Sequence, residues 1–238
     1  LARRVIYTPR SIPNLPWQDR QYSSNSTTRE PDSVNLEAHD LMCVRDDRTL
    51  FEHLSFHVEP GQVLLLEGRN GSGKTSLLRT LCAIRLPDAG KITWDGEDIF
   101  ALGPEYHAYT AYVGHKDGIK LDLTAVENLT MAKGMGDPND DISIEEALAQ
   151  VDLYGFEDVP ARNLSAGQQR RLALARLLVT RAKLWILDEP FTSLDTHGIG
   201  VVEALFATHL ANDGMIAVTS HHSVNLDTAA IRRINLSE

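Results

Sequence analysis

The chain has few of the features that mark secreted, membrane-spanning or nucleic-acid-binding proteins. Its 238 residues include only two cysteines, and no apolar run approaches the ~18 residues that a membrane-spanning helix needs. The formal net charge is −10, which argues against nucleic acid or anionic lipid as a partner. Cys43 and Cys82 lie in apolar surroundings and are expected to be reduced core residues. We therefore expect a cytosolic protein that only a partner subunit could hold at a membrane.

Residues 1–33 differ in composition from the rest of the chain. They contain four prolines and a polar run at residues 23–28, and they offer little apolar surface to bury. We expect a disordered extension, followed by one α/β domain over residues 34–238. A targeting peptide is an alternative, although the segment lacks an apolar core. Because no Met precedes Met42, the segment is also consistent with upstream sequence outside the functional unit.

A glycine-rich segment between two regular elements is the clearest indication of chemistry. The apolar run at residues 63–66 predicts a buried strand, and residues 76–81 predict a helix. The segment between them matches the P-loop pattern of nucleoside triphosphate sites, in which glycines turn backbone N–H groups toward phosphate. In such a site Lys74 reaches the β/γ-phosphates and Thr75 binds Mg²⁺. The predicted nucleotide-binding residues are Gly68, Arg69, Asn70, Gly71, Ser72, Gly73, Lys74, Thr75 and Ser76.

A second apolar strand, at residues 184–187, ends in two carboxylates. Asp188 is suited to hold Mg²⁺ and its waters, and Glu189 to polarise an attacking water. Glu189 taken alone could be no more than a capping acid. A further apolar strand begins at Ile216 and ends at His221.

The segment Leu164–Gln168 opens a predicted amphipathic helix. Ser165 is a good helix cap and Gly167 permits a close approach, so this helix end could bind a second phosphate. Taken alone, the segment is equally consistent with an ordinary capped helix.

The order of these motifs resembles the nucleotide-binding subunits of ABC transporters, over residues 35–238. The resemblance implies an α/β P-loop NTPase fold of the ABC nucleotide-binding-domain type, with a RecA-like core, an antiparallel β subdomain and a small helical subdomain at about residues 120–170. It also implies that Lys74, Glu189 and His221 act in catalysis. The other motif residues that it implies are a signature of Leu164, Ser165, Ala166, Gly167 and Gln168, a D-loop of Ser193, Leu194 and Asp195, a Q-loop position at His115, and a metal site of Thr75 and Asp188.

Within that family the chain resembles the cytochrome c maturation ATPases, the CcmA group. The resemblance is carried by residues 48–51, 114–120, 155–160 and 231–234, by Ala166 within the signature, and by Trp185 within the second strand. It implies ATP hydrolysis with Mg²⁺ in haem export or in release of a haem-loaded chaperone. The implied partners are a CcmB-like permease with CcmC-like and CcmD-like subunits, at the cytoplasmic face of the inner membrane. Another small bacterial ABC transporter, or a soluble non-transport ABC ATPase, is the alternative.

The family resemblance also implies a composite site. One P-loop and one signature in the chain mean that two copies pair head to tail around two ATP molecules, with Ser165 and Gly167 coming from the partner.

Two positions depart from the family pattern. Arg45 stands where many members have an aromatic residue that stacks on adenine, and it is interpreted either as a stacking guanidinium or as a solvated turn residue. His115 stands at the Q-loop glutamine position. It is interpreted either as a water-mediated Mg²⁺ contact or as a loop residue that does not reach the site.

Overall fold

The computed structural model describes residues 36–220 and 231–237. The expectations for residues 1–33 and for His221 concern positions outside these ranges. Within them, nine strands form two sheets. The strands are β1 Leu36–Arg45, β2 Arg48–Val58, β3 Val63–Glu67, β4 Ala89–Trp94, β5 Glu97–Asp98, β6 Thr110–Val113, β7 Leu184–Asp188, β8 Met215–Thr219 and β9 Ile231–Asn235. The helices are α1 Lys74–Leu81, α2 Ile99–Leu102, α3 Pro104–Ala108, α4 Ala125–Met135, α5 Ile144–Gln150, α6 Ala166–Ala175 and α7 Thr196–Ala211, with a 3₁₀ turn at Ala161–Asn163.

The smaller sheet is antiparallel and has the order β2–β1–β4–β5. Its first hairpin turns on Asp46 and Asp47, whose φ angles are 51° and 58°. Two left-handed residues in a two-residue loop fit the right-handed twist of the flanking strands, and Asp tolerates this conformation better than most residues. This turn closes the hairpin between β1 and β2. It places Arg45 and Arg48 opposite each other at the end of the hairpin.

The larger sheet has the order β6–β7–β8–β3–β9, and all of its pairings are parallel. Its three central strands, β7, β8 and β3, are buried on both faces, and for this reason they read as nearly unbroken apolar runs in the sequence. Side chains alternate between two core clusters. Val63 and Leu65 belong to one cluster, and Leu64 and Leu66 belong to the other. The first cluster also contains residues of α4 to α7, and the second contains residues of α1 and the antiparallel sheet.

Five of the seven described helices begin at a residue whose side chain caps them. Thr124 caps α4 with Glu127, and Ser143 caps α5 with Glu146, each by reciprocal hydrogen bonds between side chain and backbone. Among the described residues, no helix is long and apolar enough to span a bilayer. Cys43 and Cys82 are both buried, as expected of core residues, and each is a free cysteine.

Because the parallel strands run the same way, their carboxyl ends meet at one edge of the sheet. The P-loop follows β3, the loop with His115 follows β6, and Glu189 follows β7. Ligand sites of open α/β sheets lie at this edge.

Candidate active site

The P-loop joins β3 to α1 and curves around the amine of Lys74. The Nζ atom donates to the carbonyl oxygens of Gly68 and Arg69, at 2.7 and 3.1 Å. Gly73 must be glycine, because its φ is 106° and an added Cβ would lie 3.1 Å from both Leu50 and Phe51 of β2. The loop is thus set by its own glycines and by the antiparallel sheet packed against it.

A cleft of about 1070 Å³ opens beside the P-loop. It brings together ten of the residues that the sequence singled out, although they come from both sheets and from four loops. Its lining includes Arg45, Arg48, Asn70, Gly71, Gly73, Lys74, Thr75, Ser76, Tyr112, His115, Lys116, Asp188 and Glu189. The volume lies slightly above the usual range for small-molecule sites and is ample for a nucleotide.

The carboxylate of Asp188 lies at the floor of this cleft and is 4% exposed. Thr75 Oγ1 donates to its Oδ2 at 2.9 Å, and Thr219 Oγ1 donates to its Oδ1 at 2.8 Å. The paired oxygens of Thr75 and Asp188 are the hard donors that Mg²⁺ prefers, so these residues fit a magnesium site.

The backbone of Glu189 adopts a conformation that is unusual for glutamate. Its φ angle is 52°, in the left-handed region, which costs a non-glycine residue about 1–3 kcal/mol and persists only where surrounding contacts impose it. Its N–H donates to Thr219 Oγ1 at 2.9 Å. The Thr219 hydroxyl therefore fixes both predicted acidic residues, one through its proton and one through its lone pair.

Thr219 and Arg170 are functional-site residues that sequence reasoning missed. Thr219 is fully buried, and the only sequence signal was a polar residue at the end of the apolar β8 strand. Arg170 is 3% exposed and donates to the carbonyl oxygens of Asp188 and Glu189. A charged side chain in a helix that begins at a recognised motif gave no sign of this contact.

The signature segment starts α6. Ser165 and Gln168 form a capping box, in which Ser165 Oγ accepts from the Gln168 N–H at 3.2 Å and Gln168 Oε1 accepts from the Ser165 N–H at 2.9 Å. Because a hydroxyl can accept and donate at once, the Ser165 proton can still be donated to a ligand.

The signature and the D-loop are neighbours within one chain. A Cβ at Gly167 would lie 3.0 Å from the carbonyl oxygen of Ser193, so the two segments approach each other closely at this point. Asp195 Oδ1 caps α7 by accepting from the Gly198 N–H at 2.8 Å. None of the residues 164–168 or 193–195 lines the cleft around this chain's own P-loop.

Both departures from the family pattern reach the cleft. Arg45 lies at its rim, with its side chain 62% exposed, and the end of its strand is held by a bond from the Val44 N–H to Asp88 at 2.7 Å. His115 lines the cleft beside Lys116. Tyr112, whose ring lies close to Gly114, also lines the cleft, and burial, with the charge of Asp188, raises the pKa of its phenol.

In this parallel sheet the P-loop follows β3, and the carboxylate pair lies at the end of β7, which is separated from β3 by β8. This arrangement defines the P-loop nucleoside triphosphatase class. The model of the ABC transporter family matches residues 51–192. The chain belongs to the ABC transporter family, and its ATPase domain binds ATP. This confirms the family that the order of motifs indicated.

Comparison with similar proteins identifies the group within the ABC transporter family that this chain resembles. The chain is 48% identical over 203 residues to the cytochrome c biogenesis ATP-binding export protein CcmA of Nitrosomonas europaea, covering 85% of this chain and 95% of that protein. It is 47% identical to the protein of the same name from Escherichia coli K12, covering 97% of it. The resemblance to the CcmA group is thereby confirmed. An ABC transporter ATP-binding protein of Pyrococcus furiosus has the same fold, with a TM-score of 0.73 at 24% identity, covering 85% of this chain and 97% of that one.

Proposed function

We propose that this chain is the ATP-hydrolysing subunit of an ABC-type export complex that serves cytochrome c biogenesis. The observation that carries the proposal is the hydrogen-bonded series Thr75–Asp188–Thr219–Glu189 beside the P-loop, in a chain that matches its CcmA relatives over nearly their whole length.

ATP binding begins at the P-loop. Lys74 Nζ already lies at the centre of the loop, and by exchanging the carbonyl oxygens of Gly68 and Arg69 for phosphate oxygens it would neutralise charge on the β/γ-phosphates. Arg45 at the rim lies where its guanidinium could stack on the base, so we place it, with residues 68–76, among the nucleotide-binding residues.

The metal would be held by Thr75 Oγ1 directly and by Asp188 through water, where Mg²⁺ supplies charge neutralisation of the triphosphate. Glu189 would orient a water for in-line attack on the γ-phosphorus and accept its proton as the β–γ bridging P–O bond breaks and ADP leaves. From the sequence alone we assign the γ-phosphate contact to His221, and we assign a water-mediated metal contact to His115.

The second half of each site would come from another copy of the chain. Signature residues 164–168 lie outside this chain's own cleft, which supports the view that Ser165 and Gly167 act on ATP bound to a partner. Closing two copies head to tail would complete two sites, and hydrolysis would reopen them. The D-loop residues 193–195, adjacent to Gly167, would lie at the same interface.

The proposed membrane partner is a CcmB-like permease with CcmC-like and CcmD-like subunits, at the cytoplasmic face of the inner membrane. Export of haem, or release of a haem-loaded chaperone, is the step that we propose ATP hydrolysis drives. Affinity purification from detergent-solubilised membranes tests the partner. Recovery of an integral membrane subunit with the chain is expected, and recovery of soluble partners only would contradict the transport role.

Substitution of Glu189 tests the site. Glu189→Gln keeps the shape of the side chain but loses the charge that polarises water, so ATP should still bind while hydrolysis falls by about 10²-fold or more. ATP should then hold the variant as a dimer in size-exclusion chromatography. Glu145→Gln, an exposed substitution on α5, is the matched control and should hydrolyse ATP normally. A Glu189→Gln variant that stays monomeric with ATP would contradict the composite site.

A further inference from the structure

Arg170 is a buried arginine in α6 with every hydrogen-bond donor in use. A guanidinium has five N–H groups, and the structure gives this one five acceptors. Nε donates to Pro190 O at 3.1 Å, Nη1 to Gly114 O at 3.0 Å and Asp117 Oδ1 at 2.8 Å, and Nη2 to Asp188 O at 2.9 Å and Glu189 O at 2.8 Å. The side chain is 3% exposed, so little of this bonding could be replaced by water.

These five acceptors belong to two loops that follow neighbouring strands. Three of them are the successive carbonyl groups of residues 188–190, centred on Glu189. The other two, from Gly114 and Asp117, lie on either side of His115 in the chain. Arg170 thus joins the residue proposed to activate water to the loop that bears the Q-loop position, although the two are more than 70 residues apart in sequence.

The bond to Glu189 has a specific conformational consequence. The left-handed backbone of Glu189 needs external support, and it is held on its N–H side by Thr219 and on its carbonyl side by Arg170. If the Arg170 bonds were lost, the backbone could relax and carry the carboxylate away from its position over the cleft. The P-loop, by contrast, makes none of the hydrogen bonds of Arg170.

The positive charge of Arg170 is also balanced by a neighbouring carboxylate. Asp117 supplies the facing carboxylate at 2.8 Å, and a second arginine, Arg176, donates from Nη1 to the Asp117 carbonyl oxygen at 3.1 Å. Hydrogen bonds from these two arginines therefore hold the loop after β6 against α6. A lysine at position 170 would keep the charge but has only three donors and no planar fork.

We propose that Arg170 is a positioning residue for hydrolysis, which holds Glu189 in its active geometry and makes that geometry depend on the placement of the loop at residues 114–117. The inference rests on the proposed function, because it takes Glu189 as the residue that activates water. Arg170 itself contacts no substrate, since it does not line the cleft.

The proposal is tested by measuring kcat and the KM for ATP separately in a variant of Arg170. Misplacement of a catalytic group by about 1 Å can lower turnover about 10²-fold, so Arg170→Lys should lower kcat by about that factor. The KM for ATP should change by less than about threefold, because the nucleotide-binding loop is untouched. Arg171→Lys is the matched control. This neighbouring side chain pairs instead with Asp152, at 3.6 Å, and its substitution should leave kcat unchanged.

A double-mutant cycle separates positioning from general stability. If Arg170 acts only through Glu189, adding Arg170→Lys to Glu189→Gln should cause no further loss of turnover. If the losses of turnover in the two single variants multiply in the double variant, the proposal is overturned. A wild-type kcat in Arg170→Lys would overturn it as well. Asp117→Asn serves if the lysine variant does not fold. It retains Arg170, should lower kcat by about tenfold, and should also add nothing in the Glu189→Gln background.

The outcomes also distinguish the inference from the function on which it rests. Full hydrolysis by Glu189→Gln would refute the proposed role of Glu189. Loss of hydrolysis in Glu189→Gln together with normal hydrolysis in Arg170→Lys would refute only the role of Arg170.

Discussion

His209 makes the stability of the fold sensitive to moderate acid. Its ring lies flat against the indole of Trp185, with centroids 3.7 Å apart and planes at 7°, and its Nε2 faces the carbonyl oxygens of Lys183 and Met215 at 3.2 and 3.3 Å. Burial, with a smaller contribution from the Lys183 charge, lowers the pKa of this histidine to about 4, although the two carbonyl groups act in the opposite direction.

The sign of the effect follows from linkage between protonation and folding. The unfolded chain binds a proton at His209 near pH 6.5 and the folded chain only near pH 4, so stability is complete above pH 6.5 and is lost as the pH falls toward 4. Between pH 7.5 and pH 5.0 the loss from this one group is about 2 kcal/mol. For a domain of this size, that lowers Tm by about 4–8 °C.

Thermal unfolding of the wild type and His209→Gln, followed between pH 7.5 and 5.0, measures this contribution. The variant cannot titrate at position 209. Between pH 7.5 and 5.0 its Tm should therefore fall by about 4–8 °C less than the Tm of the wild type, whatever its absolute stability. His107→Gln, an exposed substitution on α3, is the control and should retain the wild-type slope. Equal slopes in the wild type and His209→Gln would refute the reasoning. They would mean that attraction between the protonated ring and the Trp185 π-system cancels the cost of burial.

Two further predictions concern the cleft and the antiparallel sheet. His115→Gln should keep ATPase activity, because the amide offers an oxygen, which Mg²⁺ and its waters accept more readily than a ring nitrogen, and loss of activity in this variant would contradict a metal-contacting role for position 115. Gly90→Ala should lower the free energy of unfolding by about 1–3 kcal/mol or more in a denaturant melt, because φ is 82° and an added Cβ would collide with the carbonyl groups of His39 and Asp40. Gly96→Ala, at a φ of 85° with open space around it, isolates the backbone contribution, and an equal loss in both variants would contradict the steric part of the argument.

The elements that the sequence predicted are those set by local patterns. Strands such as β3, β7 and β8 are apolar runs because both faces of a parallel sheet are buried. The P-loop and the hairpin turn were predictable because left-handed backbone requires glycine or aspartate at fixed offsets. The Asp188–Glu189 pair was predictable because carboxylates rarely end a buried strand without a role.

What the sequence did not reveal depends on contacts between distant segments. The five acceptors of Arg170 lie 18 to 56 residues away along the chain, so no window around α6 contains them. Whether Arg45 and His115 reach the cleft was open for the same reason, because each lies in a loop whose path is set by other elements. The extent of β2 depends on such contacts too, because its first half, from Arg48, pairs with β1 and packs on the P-loop.

The position of β3 in the parallel sheet has a consequence for the order in which the protein can be completed. This strand, which delivers the P-loop, lies between β8 and β9, its partners some 150 to 170 residues later in the chain. The P-loop is also held by residues that follow β9 in the chain. The Arg69 N–H donates to Ser237 Oγ at 2.7 Å, and the Leu236 N–H donates to the Glu67 carbonyl oxygen at 3.0 Å. At about 5–20 residues per second, a ribosome needs roughly 10–30 s between making β3 and making β9. During that interval the P-loop sequence exists without the neighbours that shape it, so ATP binding by a nascent chain would report that β9 has been made and has paired with β3.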